Sequence, residues 1–325
     1  MKPPLFWYQK PSWKSAFLAP LASIYAFATA RRIAKKPALK AKVPVVCIGN
    51  INAGGTGKTP TVIALVQHLI ERGKNPHILS RGFGGDEKSA LRVREDMPAS
   101  RVGDEPLLLA AFAPTWIGAD RTETAKLAVA DGADILIMDD GFQNPGLAKD
   151  ISVIVVDASR GFGNGRVLPA GPLREPVAKG LARADVVISI GHERAQARFD
   201  ADWAPRVSVP RIAGHLAPLP MGIDWKGLRA LAFAGIGHPA KFFETLRNEG
   251  VEIVQSVALD DHQPLSTSLL QRLQAEARLR GAQLVTTEKD AVRLPQSMRA
   301  EVLTMPVRLQ LDDWAVIDQL LDTRT

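Results

Sequence analysis

One stretch constrains this chain more than any other: Gly49-Asn50-Ile51-Asn52-Ala53-Gly54-Gly55-Thr56-Gly57-Lys58-Thr59-Pro60. It follows the apolar run Val43, Val45, Val46 and Ile48, which reads as a buried parallel strand. It precedes a helical pattern that runs from Thr61 through His68-Leu69 and ends near Arg72-Gly73. A glycine-rich turn between a strand and a helix is the setting of a phosphate-binding loop. The reason is local. Gly54, Gly55 and Gly57 let backbone N–H groups turn inward at a helix N-terminus, where the helix dipole also favours an anion. Lys58 then reaches the β- and γ-phosphates, and the Thr59 hydroxyl suits a magnesium ion. The usual pattern is G-x-x-x-x-G-K-[ST]; its first position here is Asn52, so the loop runs Asn52, Ala53, Gly54, Gly55, Thr56, Gly57, Lys58, Thr59.

From Val43 to about Ile190 strands and helices alternate. Strands are expected at Val43–Ile48, Pro76–Ser80, Thr115–Gly118, Ile135–Met138, Ile151–Val156 and Val186–Ile190, with helices at Thr59–Arg72, Glu105–Ala111 and Arg121–Asp131. This α/β pattern predicts a P-loop NTPase-like, doubly wound, mostly parallel sheet, with its ligand off the carboxyl ends of the strands. A second, smaller α/β unit begins near Arg206, where Pro205, Pro210, Pro218 and Pro220 punctuate the chain. Its expected elements are a strand at Ala230–Ile236, a helix at Pro239–Glu249, a strand at Val251–Ala258, a helix at Thr267–Arg280 and a strand at Gln283–Thr286. No phosphate loop recurs there, so this unit shapes the substrate side of a cleft. The expected division is 1–42, 43–205 and 206–325, with the Asp313–Leu321 helix able to pack back on the core.

Charge is distributed unevenly. The chain has 325 residues and a net charge of +7, yet residues 1–50 hold nine basic side chains and no acid. The remainder carries 32 basic against 34 acidic residues, so the basic excess belongs to the N-terminus. Beside it lie Phe6, Trp7, Tyr8 and Trp13, then a stretch from Ala16 to Ala30 that is apolar except for Ser23 and Thr29. Phe17, Leu21, Ile24 and Ala28 share one helical face, with Leu18 and Tyr25 beside it. Fifteen residues make a helix of about 22 Å, short of the ~30 Å hydrocarbon core. The pattern predicts an amphipathic helix lying in a membrane interface, with the Arg31–Lys42 cluster facing anionic lipid. A helix packed on the protein's own core, followed by a solvated basic linker, gives the same pattern. A nucleic-acid-binding arm leaves the apolar stretch without a role, and no nucleic acid or obligate protein partner is expected. The single cysteine, Cys47, lies inside the first strand and reads as a small core residue.

Several residues have types and settings that carry chemistry. Asp139 and Asp140 end the run Ile135-Leu136-Ile137-Met138; carboxylates at such a strand tip hold a magnesium ion or its water, or else cap a turn. Asp104, in Val102-Gly103-Asp104-Glu105-Pro106, is a helix N-cap or a base. His262, in Leu259-Asp260-Asp261-His262-Gln263-Pro264, is a surface or capping histidine or a titrating group on the opposite wall of the cleft. Residues 161–176 are too rich in Gly and Pro for a regular element and form a shaped loop whose Arg166 and Arg174 suit a phosphate. Thr286-Thr287-Glu288-Lys289-Asp290 is a helix start or a nucleotide-side contact.

Together GNINAGGTGKTP, SRGFGG, VGDEP, MDDGFQ, FGNGRVLPAGPLREP, AFAGIGHP, DDHQ and TTEKDAVRL resemble, in order and up to about residue 294, the tetraacyldisaccharide 4'-kinases of lipid A biosynthesis. That family does not keep the usual glycine at the first position of the loop. The resemblance implies transfer of the ATP γ-phosphate to the 4'-hydroxyl of tetraacyldisaccharide 1-phosphate, giving lipid IVA. It also implies a peripheral enzyme on the cytoplasmic face of the inner membrane of a Gram-negative bacterium. Carried over by motif, Lys58 and Thr59 serve the phosphates and Mg2+, and Asp139 and Asp140 the metal. Asp104 acts as base, tuned by His262, while Arg174 and Glu175 lie near the reacting end of the substrate. The rival class is a membrane-recruited regulatory NTPase. It leaves Asp104 and His262 unexplained, and the chain has no guanine-reading Asn-Lys-x-Asp run. A soluble small-molecule kinase leaves residues 1–42 without a purpose.

Overall fold

The structure, a computed structural model, describes residues 3–10, 12–261 and 263–324. Its strands are β1 (Val45–Gly49), β2 (Pro76–Ser80), β3 (Leu91–Arg92), β4 (Thr115–Ile117), β5 (Ile135–Asp139), β6 (Ile151–Asp157) and β7 (Val186–Ile190). They continue as β8 (Arg211–Pro218), β9 (Arg229–Ala234), β10 (Glu252–Ala258), β11 (Gln283–Thr287), β12 (Val302–Met305) and β13 (Val307–Leu311). A nine-stranded sheet has the order β13-β8-β7-β6-β1-β5-β2-β4-β3, and a four-stranded sheet the order β10-β9-β11-β12. Every pairing is parallel except β13 with β8 and β3 with β4, both at the rims of the large sheet. The central strands β1, β5, β6 and β7 are buried along their whole length. That is why they read as continuous Val/Ile/Leu runs rather than as an alternation: helices cover both faces.

The strand order positions the site. From β1 the chain moves outward to β2 and β4, returns to place β5 against β1, then crosses to build β6 and β7 on the other side. Ile48 of β1 stands level with Asp139 of β5. The crevice off the carboxyl ends of β1, β5 and β6 is therefore the switch point of a doubly wound sheet, where ligands bind. The helix Lys58–Glu71 follows β1 directly and buries Val62, Ile63, Leu65, Val66 and Leu69.

The expected boundary at residue 206 differs from the pairing. β8 and β13 extend the large sheet, so the four-stranded sheet is built from residues 229–305 and the chain then returns. The sequence concealed this because β8 is half-buried near a rim and lies among Pro210, Pro218 and Pro220. The last helix, Ala315–Arg324, sends Ile317 and Leu321 into the core of the large sheet. Trp314 stacks on His68 with ring centroids 4.1 Å apart. Helices at Val177–Leu181 and Glu193–Trp203, which were not expected, cover the sheet beyond β6.

The N-terminal segment forms two helices, Trp13–Phe17 and Ala19–Ile33. Leu18, Ala22 and Ala26 pack on the core. Leu5, Trp13, Phe17, Leu21, Ile24 and Phe27 stand in solvent. Among the described residues no helix is long and apolar enough to cross a membrane.

Candidate active site

The phosphate loop is shaped by its own side chains and by a second loop beneath it. Asn50 Nδ2 donates to the Gly54 carbonyl at 3.2 Å and to Thr56 Oγ1 at 3.1 Å. Asn52 is buried and donates to the Gly161 carbonyl at 3.0 Å, while Ala53 N–H donates to Pro172 O at 2.7 Å. Asn52 thus anchors the phosphate loop to the Gly/Pro-rich loop 161–176, which explains why a glycine is not needed there. Gly57 has φ +96°, in the left-handed region, and caps the helix that Lys58 and Thr59 begin. Free N–H groups and the positive dipole end thereby face the crevice.

Asp139 and Asp140 emerge from β5 opposite the loop. Lys58 Nζ lies 3.7 Å from Asp140 Oδ1, and Arg174 Nη1 lies 3.3 Å from the same oxygen. Burial opposes ionisation of Asp140, but Lys58 and Arg174 outweigh it and hold the carboxyl below its usual range. Asp139 behaves oppositely: burial, then the neighbouring Glu105 and Asp140 carboxylates, push it up to about 7. Its Oδ2 accepts from Ser80 Oγ at 3.4 Å, and its buried Oδ1 has no hydrogen-bond partner. An orphaned buried carboxylate oxygen beside a threonine-bearing phosphate loop suits a hard divalent cation or its water. No three His, Cys, Asp or Glu side chains converge as a metal cluster among the described residues. Magnesium sites of this kind need few protein ligands, because phosphate oxygens and water supply the rest.

Asp104 is 4% exposed and begins the helix Asp104–Ala110. Its position depends on Gly103, whose φ is +92° and where a Cβ would come within 2.6 Å of the Phe83 carbonyl. The SRGFGG turn and the VGDEP turn therefore interlock. Asp104 Oδ1 accepts from Glu105 N–H at 3.0 Å, and Arg293 Nε lies 3.9 Å from Oδ2. His262 lies outside the described residues; its neighbour Asp261 is 3.8 Å from Lys289 Nζ. Glu175 is buried, bonded to Arg183 at 2.6 Å and to Gln143 Nε2 at 3.0 Å. Gln143 also donates to Asn50 O at 2.8 Å and accepts from Arg174 at 3.2 Å, so Glu175 and Gln143 brace Arg174 and the loop together. Arg166 reaches Ser15 O at 3.5 Å, toward the N-terminal helices.

The two sheets face each other across a cavity of about 290 Å³. Gly55 to Pro60, Ile63, Leu108 and Ile190 line one side; Ile236, His238, Lys241, Phe242, Lys289 and Met305 line the other. Ion pairs join its two sides, Lys289–Glu105 at 3.1 Å and Lys241–Asp157 at 2.7 Å, and outside its lining Arg293–Asp104 also links the two units. Burial alone would lower Lys289, but Glu105, Asp104 and Asp261 raise it, so it stays a cation.

A family model described as tetraacyldisaccharide-1-P 4'-kinase matches residues 14–325. The chain belongs to this family. A tetraacyldisaccharide 4'-kinase of Dinoroseobacter shibae is 58% identical, over 99% of this chain and 97% of its own. One of a Jannaschia species is 56% identical, over 99% and 98%. Among solved structures, the "apo" form of LpxK from Aquifex aeolicus, in complex with ATP, superposes with a TM-score of 0.77 at 25% identity, covering 95% of this chain and 98% of that one. The expected family and the α/β, P-loop-type fold are both borne out.

Within this tetraacyldisaccharide-1-P 4'-kinase framework, four site residues had not been singled out from the sequence. From the sequence Glu105 is only the first residue of an expected helix, and Lys289 only one member of a stretch that reads as a helix start or a nucleotide-side contact. Arg293 follows Lys289 by four residues, the spacing that puts two side chains on one face of a helical turn, and that signal was available. Arg121 gave no signal. It is buried, donates to Ser80 O at 2.5 Å and Gly118 O at 3.0 Å, and is pushed down to about 10 by burial, despite the nearby Asp139.

Proposed function

We propose that the chain transfers the γ-phosphate of ATP to the 4'-hydroxyl of tetraacyldisaccharide 1-phosphate, forming lipid IVA. The observation that carries the reading is the meeting of two half-sites. A phosphate loop with Lys58 on Asp140 faces a buried Asp104, and a second unit brings cations to both Asp104 and Glu105. A nucleotide switch has no use for a buried carboxylate reached from a second sheet.

Phosphoryl transfer is mostly positioning and charge neutralisation. The loop amides and Lys58 bind the β- and γ-phosphates, and Asp140 fixes the Lys58 ammonium in their path. Thr59, Asp139 and Asp140 are the residues that would hold a magnesium ion, which when bound would neutralise developing phosphate charge. Asp104 takes the proton of the 4'-hydroxyl as its oxygen bonds to the γ-phosphorus and the bond to ADP breaks. His262 tunes Asp104 on the resemblance alone. Arg174, braced by Gln143 and Glu175, neutralises Asp140 and stands beside the reacting end of the acceptor. The apolar wall formed by Ile190, Ile236, Phe242 and Met305 suits the face of a nucleotide base.

The N-terminal helices supply the surface for a lipid acceptor. Their exposed aromatic and aliphatic side chains sit at headgroup depth, with Arg31, Arg32, Lys35 and Lys36 beside anionic lipid. The enzyme is thus peripheral to the cytoplasmic face of the inner membrane.

The test is transfer of labelled γ-phosphate from MgATP to tetraacyldisaccharide 1-phosphate in mixed micelles. Loss of a general base costs about 10²–10⁴-fold and loss of a group that stabilises transition-state charge about 10²–10³-fold, so Asp104→Ala and Lys58→Ala are each expected to lose at least about 10²-fold. ATP consumption by the wild type without labelled lipid would sink the reading in favour of a regulatory NTPase.

A further inference from the structure

Arg293 occupies a position that the phosphate loop and the acidic pair do not explain. Its side chain is 9% exposed, on the turn after the Glu288–Ala291 helix of the smaller unit. Nη1 donates to Gln263 O at 2.8 Å, in the turn that follows Asp260-Asp261. Nη2 donates to Gly235 O at 3.4 Å and to the Asp290 carboxylate. Asp290 is itself fully buried and held by Gly235 N–H at 3.0 Å and by Thr287 Oγ1 at 2.7 Å. Three of the five N–H donors of the planar guanidinium are therefore tied to one unit, which fixes the direction of Nε–H. Nε is buried, without a hydrogen-bond partner, and 3.9 Å from Asp104 Oδ2 of the other unit. A buried donor left unsatisfied costs about 1–3 kcal/mol, and the acceptor that Nε faces is the Asp104 carboxylate.

We infer that Arg293 is a positioning residue for phosphoryl transfer, holding the Asp104 carboxylate of one unit and the Gln263 carbonyl of the other in one constellation. The inference rests on the reading of Asp104 as the base. Arg293 acts through Asp104, by setting where Oδ2 points relative to the smaller unit. A lysine in its place keeps the charge but cannot make the fork to Gln263 O and Gly235 O.

The experiment is steady-state kinetics with MgATP and tetraacyldisaccharide 1-phosphate in micelles. It compares wild type, Arg293→Gln, Arg293→Lys, Asp104→Asn and the Asp104→Asn/Arg293→Gln double variant. A misplaced catalytic group costs about 10²-fold. Arg293→Gln is therefore expected to lower kcat about 30- to 100-fold while KM for ATP stays within about twofold, and Arg293→Lys to give an intermediate kcat. In the Asp104→Asn background the glutamine substitution should change the residual rate by less than about threefold, because residues that act as a unit are not additive. A wild-type kcat for Arg293→Gln, or a full multiplicative loss in the double variant, overturns the inference. Wild-type activity of Asp104→Asn instead removes the base on which it rests, a separate failure. Should Arg293→Gln fail to fold, as thermal unfolding would report, Arg293→Lys decides: reduced kcat at unchanged ATP KM supports the role, and unchanged kcat overturns it.

Discussion

Gly57 takes φ +96°, and a Cβ built there would lie 2.6 Å from Ile190 Cδ1. Two penalties are therefore superposed at one atom, and they can be separated. The side-chain clash involves the flexible end of an isoleucine and can relax; the left-handed backbone costs an L-residue about 1–2 kcal/mol wherever its neighbours move. Gly57→Ala is expected to raise KM for ATP at least about tenfold, because escaping that strain turns the loop N–H groups out of the crevice. Trimming the neighbour in Gly57→Ala/Ile190→Val should not restore binding. ATP titration of the two variants checks this, and recovery in the double variant would mean that crowding was the cause. Asp140, at the same crevice, is also left-handed, with φ 48°, and it is not a glycine. Its short polar chain tolerates the conformation, and Lys58 and Arg174 hold it there.

At the scale of elements, the strands that the sequence displayed best were those buried on both faces, because burial leaves an uninterrupted apolar run. Pro76–Ser80 and Val186–Ile190 agree with expectation at both ends, and β1, β5 and β6 to within about two residues, the usual scatter of element ends. The rim strands β3, β8 and β13 were not legible, since half-exposed residues carry no such run. The site shows the same division. The phosphate loop and Asp139-Asp140 could be read locally, whereas Lys289 and Arg293 gain meaning only when β11 carries them to a cleft with Asp104 and Glu105. Asp157 and Lys241 form another such long-range link, at 2.7 Å between the end of β6 and the helix Pro239–Asn248. Burial alone would raise Asp157, but Lys241 and the Ser159 hydroxyl and N–H hold it below the usual carboxylate range. A depressed carboxyl stabilises the fold above its unfolded value, about 3.9, and the contribution fades as pH falls through the lower folded value. Asp157→Asn is thus expected to lower the thermal midpoint at neutral pH by a few degrees, about 1 kcal/mol with Lys241 half-exposed, and the gap to close below about pH 4. Unfolding scans across pH check it; a gap that widens on acidification would be the wrong sign.

The whole molecule is polarised. The N-terminal segment presents apolar side chains outward, yet it is fastened to the loop beneath the phosphates: Trp7 Nε1 donates to Pro169 O at 3.1 Å, and Asn164 N–H donates to Trp7 O at 2.7 Å. Pro172 O in turn accepts from Ala53 N–H. A membrane that receives Phe17, Leu21, Ile24 and Phe27 therefore also receives the phosphate loop at a fixed height. Phe17 is 79% and Ile24 66% exposed, so replacing these four residues by serine removes little from the protein's own core. Removing them from a bilayer is different. Burial of each such side chain is worth about 1.5–3 kcal/mol, so even partial insertion of four makes binding change by several factors of ten. The quadruple serine variant is expected to keep its thermal midpoint and its KM for ATP while losing co-sedimentation with anionic vesicles. Turnover of micellar tetraacyldisaccharide 1-phosphate should fall with it. Raising salt should weaken wild-type binding to anionic vesicles through the Arg31–Lys42 cluster but leave a residual apolar component, because screening acts on charges and not on burial. If the variant binds vesicles like the wild type, the exposed face has some other purpose, and the height of the phosphate loop above a lipid acceptor is set elsewhere in the chain.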